Sequence, residues 1–101
     1  MKNPVKFFNI HSRSMFIIPK KWRNELNIQI GDLVKIERNQ NHIIIENDKL
    51  APDCMVSIIG RDGTLYLPAE VRQYFLQKGI EEFKVTVDRL FNQIILSPIQ
   101  A

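Results

Sequence analysis

The stretch FIIPKKWRNEL, residues 16–26, returns as LYLPAEVRQYF at residues 65–75, with Pro19 and Arg23 becoming Pro68 and Arg72. A phrase that recurs after 49 residues in a chain of 101 constrains the fold more than composition does. A repeat of that period means one supersecondary unit made twice. Aligning the halves extends the match. VKFFNI corresponds to CMVSII, and both runs of bulky apolar residues predict a strand. HSRS and GRDG follow as polar turns, each with one arginine. MFII and TLYL predict a second strand that stops at proline. Proline fits the first helical position, because its fixed φ suits a helix and its missing N–H would be unpaired there anyway.

The pattern predicts helices over about 19–27 and 68–77. Trp22 with Leu26, and Val71 with Phe75, form the i, i+4 stripe of a short amphipathic helix. Arg23 and Arg72 then lie about 100° around from the stripe, on the side expected to be exposed. Gly31 and Gly79 are expected to break the helices. LVKIE and FKVTV alternate as third strands, and NHIII and NQIIL match almost letter for letter as fourth strands. Phe7, Phe8 and Phe16 are expected to point into the core. Each half reads ββαββ: unit one at 5–46, unit two at 55–97, and a linker, NDKLAPDC, at 47–54. A unit of about 50 residues with four short strands cannot bury a core by itself. The expected fold is therefore one domain over 1–101, mostly β with two short helices (α+β). The two tandem units would interlock as a barrel with a pseudo-twofold axis.

Composition excludes several function classes. Apolar residues make up 45% and charged residues 25%, as in ordinary globular domains. No apolar run approaches the roughly 18 residues of a membrane span, and MKNPVKFFNI lacks the pattern of a signal peptide. A single cysteine, Cys54, leaves no internal disulfide and fits a reducing compartment, so a cytoplasmic location and no membrane partner are expected. His11, His42 and Cys54 follow no metal-ligand spacing. Cys54 has no neighbouring base to activate it. Glu81 and Glu82 are adjacent, so their side chains point apart in a strand. No glycine-rich phosphate loop occurs. No enzyme activity, cofactor, metal or small-molecule substrate is expected.

Charge is unevenly spread. The net charge is +3, yet the first acid after Lys2, Lys6, Arg13, Lys20, Lys21 and Arg23 is Glu25. Splitting after Leu50 leaves nine cations and five acids (+4) in the first half, against five cations and six acids (−1) in the second. Lysines at a helix start cost a few tenths to about 1 kcal/mol against the helix dipole. A purely structural choice there would be an acid, such as Glu70 in the second helix.

The order of strand, turn, strand ending in Ile-Pro or Leu-Pro, short helix with an arginine, Gly-Asp and hairpin resembles the AbrB/MazE/SpoVT swapped-hairpin family. The match is carried by FIIPKKWRNELNIQIGDLVKIERNQNHIIIE and more loosely by GTLYLPAEVRQYFLQKGIEEFKVTVDRLFNQIIL. The resemblance implies two units interlocked in one barrel, closed within one polypeptide as in MraZ-type duplications. It also implies double-stranded DNA binding through the turn before the second strand and the short helix. On this sequence those positions are Arg13, Lys20, Lys21 and Arg23 in the first unit, and Arg61 and Arg72 in the second. The family's usual Gly-Arg before the second strand is Ser14-Met15 and Gly63-Thr64 here, with Arg13 and Arg61 slightly earlier in the same turns. Its frequent second helix arginine is Asn24 and Gln73.

Three functions follow. A DNA-binding transcriptional regulator leads, with a homo-oligomer expected because one barrel covers little DNA. A MazE-type antitoxin is the alternative, weakened by LSPIQA ending a few residues past the last predicted strand without a long acidic tail. The third is a protein-interaction or assembly module on the same barrel without DNA binding, which the net charge of the second half would suit.

Overall fold

A computed structural model of the chain describes residues 6–11, 15–47 and 55–99. The strands are β1 (Lys6–Asn9), β2 (Met15–Ile17), β3 (Leu33–Asn39), β4 (His42–Glu46), β5 (Met55–Ile58), β6 (Thr64–Tyr66), β7 (Glu82–Asp88) and β8 (Gln93–Pro98). Helix α1 (Lys20–Leu26) lies between β2 and β3, and α2 (Ala69–Gln77) between β6 and β7. One turn of 3₁₀ helix, Arg61–Gly63, precedes β6. The molecule is mostly β with two helices. A six-stranded antiparallel sheet of order β1-β7-β8-β4-β3-β5 curls into a half-barrel, and β2 and β6 form a two-stranded ribbon.

The pairing crosses between the halves of the chain. β1 pairs with β7, and β5 with β3, in the same register: Phe7 faces Lys84, and 49 residues on Val56 faces Lys35. In the ribbon Phe16 faces Leu65, and between β4 and β8 Ile45 faces Ile94. Both are pairs of residues 49 positions apart. Two backbone bonds extend the crossing. The Ile10 N–H donates to the Glu81 carbonyl (2.7 Å), and the Ile59 N–H to that of Asp32 (2.8 Å).

Alternation in the strands and the i, i+4 stripes of the helices feed one core. Trp22, Leu26, Val71 and Phe75 are buried as the helical spacing predicts. Phe8 and Phe16 meet edge to face at 5.7 Å, and Phe75 and Phe83 at 5.1 Å. Such aromatic pairs add about 0.5–1.5 kcal/mol beyond area burial.

Four expectations need correction. Phe7 is 62% exposed, because neighbours on a strand face opposite ways and Phe8 takes the inward place. Pro19 and Pro68 are N-caps rather than first helical residues; their ψ values of 147° and 141° are still extended. Gly31 does not end α1. That helix closes on Asn27 in the left-handed region (φ 56°), where the Ile28 N–H reaches the Arg23 carbonyl at 2.8 Å. Gly79 does end α2, with φ 74° and the Ile80 N–H on the Phe75 carbonyl. Gly31 belongs to the next turn, where its N–H donates to Ile59. Arg23 and Arg72 are half-buried, not exposed: the Arg23 Nε donates to the Ile18 carbonyl, and the Arg72 Nε is itself buried. Of the linker only Asn47 is described, and its Nδ2 donates to the Asn27 carbonyl at 3.0 Å.

Candidate nucleic-acid interface

The basic cluster of the first half begins where β2 gives out. Pro19 cannot donate to a sheet and its φ suits a helix entry, so Lys20 and Lys21 become the first turn of α1. Both are exposed, and no acid shares that turn. Arg23, one turn further on, does not reach outward alone. Its Nε donates to the Ile18 carbonyl at 3.0 Å.

The Arg61–Gly63 turn of the second half sits against this helix start. The Ile18 N–H donates to the Gly63 carbonyl at 2.9 Å. The turn is tied internally: the Gly63 N–H donates to Gly60, the Gly60 N–H to Thr64, and the Thr64 hydroxyl to the Arg61 carbonyl at 2.8 Å. Asp62 (φ 63°) and Gly63 (φ 82°) both take left-handed backbone, and Arg61 is exposed at the start of the turn. The structure thus brings Arg61 to α1 of the opposite half, whereas sequence order grouped it with Arg72. Arg13 lies outside the described residues.

The second helix is built differently. Ala69 and Glu70 occupy the places of Lys20 and Lys21, and both are exposed. Arg72 is half-buried, and its buried Nε has no hydrogen-bond partner among the described residues. Positive charge is not absent there. The Arg38 guanidinium lies 3.7 Å from the centroid of the Tyr74 ring, and the Lys78 ammonium lies 5.0 Å from it. On α1 the place of Tyr74 is taken by Glu25, which pairs with Arg89 at 2.9 Å. Arg38 and Arg89 each reach a helix distant in the chain, which local sequence does not signal, whereas Lys78 sits four residues after Tyr74, a spacing that could have found it. For Gly63 a signal existed: a glycine closing a polar turn marks a place where left-handed backbone is needed, and its φ is 82°.

Among the described residues, no helix is long and apolar enough to cross a membrane. No curated protein and no solved structure matches the chain. Residues 15–53, from β2 through α1 and the β3–β4 hairpin, match the family model described as antidote-toxin recognition MazE, bacterial antitoxin. Over that segment the chain is similar to the AbrB/MazE-type swapped-hairpin family.

Proposed function

We infer that this chain is a double-stranded DNA-binding transcriptional regulator of the cytoplasm, without enzyme activity, built from two tandem ββαββ units that interlock. The reciprocal registers of β1–β7 and β5–β3 support the two-unit reading. The observation that carries the function is the exposed Lys20-Lys21 pair in an acid-free first turn, with the Arg61 turn seated beside it. Two lysines held where the helix dipole disfavours them gain nothing structurally. They do gain from phosphates, since each neutralised phosphate releases condensed counterions. A rigid turn and a short helix together present these charges at fixed spacing, which suits readout of groove shape and deformability. One such surface covers little DNA, so pairing of two copies would lengthen the footprint.

The test is an electrophoretic shift on random and genomic duplex DNA at low salt. A shift that weakens steeply with salt supports the reading; none at micromolar protein refutes it. The family match favours a second reading, an antitoxin that recognises a toxin. Stable capture of a toxin without any DNA shift would transfer the conclusion to that reading.

A further inference from the structure

Arg23 is the helix residue that most resembles a DNA contact by sequence, yet its half-buried side chain is bonded to the protein's own backbone. Its Nε donates to the Ile18 carbonyl, and that same peptide segment receives the second half's turn through the Ile18 N–H to Gly63 bond. Contact is close enough to exclude any other residue at the turn. A Cβ added at Gly63 would lie 2.6 Å from the Ile18 carbonyl oxygen and 2.7 Å from Arg23 Nε, with φ already at 82°. Arg23 therefore closes over Gly63 as a lid over a gap made by the missing side chain. The equivalent arginine of the second half, Arg72, has a buried Nε without such a bond.

We propose that Arg23 is a positioning residue: it locks the Arg61–Gly63 turn against the start of α1 and so sets Arg61 beside Lys20 and Lys21 as one basic surface. This rests on the DNA-binding reading, and it reassigns Arg23 within it from a phosphate contact to the brace of a surface shared by the two halves. Lysine cannot replace it. A lysine at position 23 keeps the charge but places a methylene where arginine has Nε, so the bond to Ile18 is lost.

The full-length chain tests this in two ways. Hydrogen exchange of the Ile18 amide, which donates to Gly63, should speed up about five- to tenfold in Arg23→Lys, the loss of one net hydrogen bond's worth of protection. Salt-dependent binding to a random duplex then reads the coupling. Arg61→Ala should lower the slope of log affinity against log salt by about 0.9 in the parent, one phosphate contact. In the Arg23→Lys background the same substitution should lower it by less than about 0.3. A brace that served stability alone would move the melting temperature and leave the Arg61 increment intact. An equal Arg61 increment in both backgrounds overturns the proposal, as does unchanged exchange at Ile18. If Arg61→Ala has no effect in the parent while Lys20→Ala with Lys21→Ala flattens the slope, the proposal falls and the DNA reading stands. If the parent binds no duplex, the DNA reading fails and the role in setting a DNA surface fails with it, while the exchange result still decides the brace.

Discussion

α1 and α2 hold equivalent places in the molecule, and they are alike on the face that touches the core but not on the face that meets solvent. Each follows a proline cap and buries an i, i+4 pair, Trp22 with Leu26 and Val71 with Phe75. Both also carry a half-buried arginine, Arg23 and Arg72, but their exposed starts and their ends differ. α1 has seven residues, starts on two lysines, ends on a left-handed asparagine and answers Arg89 with Glu25. α2 has nine, starts on Ala69 and Glu70, ends on a left-handed glycine and answers Arg38 with Tyr74. The inward face is constrained because every buried methylene contributes about 0.8 kcal/mol and every void costs. The outward face carries no such constraint, so its chemistry is free to diverge. The exposed lysine pair at the start of α1, where α2 has Ala69 and Glu70, is a difference on the face that folding does not constrain.

Separating the halves should break the comparison most completely. Among the described residues, β1 pairs only with β7, β5 only with β3, and the ribbon needs one strand from each half. Residues 1–50 alone should be unfolded or fold only as a homodimer. Sedimentation showing a monomeric half with cooperative melting would contradict the shared core. Next in size is the core face itself. Trp22→Ala should cost about 3–5 kcal/mol in denaturant melts, as for any buried large aromatic. Lys20→Ala with Lys21→Ala, on the outer face of the same helix, should stay within about 0.5 kcal/mol of the parent. A Trp22 variant that melts like the parent while losing DNA affinity would turn that face outward.

The helix ends give smaller effects. Gly79→Ala has open space around the new Cβ but keeps φ at 74°, so it should cost roughly 1–2 kcal/mol from backbone strain alone. Asn27→Gly, at the matching end of α1, should be neutral within about 0.5 kcal/mol, because asparagine already tolerates that backbone. Equal effects at the two ends would mean that the caps, unlike the outer faces, have not diverged. Smallest is the pair of clasps. Arg38→Ala should cost about 0.5–1 kcal/mol through the Tyr74 ring, with little salt dependence. Glu25→Ala should cost about 0.2–1 kcal/mol at low salt, and less as added salt screens the exposed pair.

Much of the fold was legible because two periodicities agreed at a fixed shift. Period-2 runs marked the strands, the i, i+4 pairs marked the helices, and a shift of 49 residues carried one half onto the other. Phe7 was misplaced because adjacent aromatics were both assigned inward, which the pleat forbids. Gly31 was misplaced because glycine was weighed over asparagine at the end of α1, although Asn27 enters the left-handed region there. The candidate site was legible only in part. Lys20 and Lys21 stand exposed where the charge pattern placed them. The half-burial of Arg23 and the arrival of Arg61 at α1 depend on pairing between residues some 40 positions apart, and local sequence carries no signal for that. The turn's need for glycine was visible in Gly63, but its reason, the approach of Ile18 and Arg23, was not.

The salt dependence of duplex binding tests the central claim most directly, because it counts phosphates rather than affinity. Binding isotherms at several salt concentrations would compare the parent with Lys20→Ala/Lys21→Ala and with Ala69→Gly/Glu70→Ala. If DNA is held by the basic face of α1, the first variant lowers the slope of log affinity against log salt by about 1.8, two contacts at 0.9 each. The second variant leaves it unchanged within about 0.3. An unchanged slope in the lysine variant, with melting unaltered, would remove DNA from α1 and contradict the account.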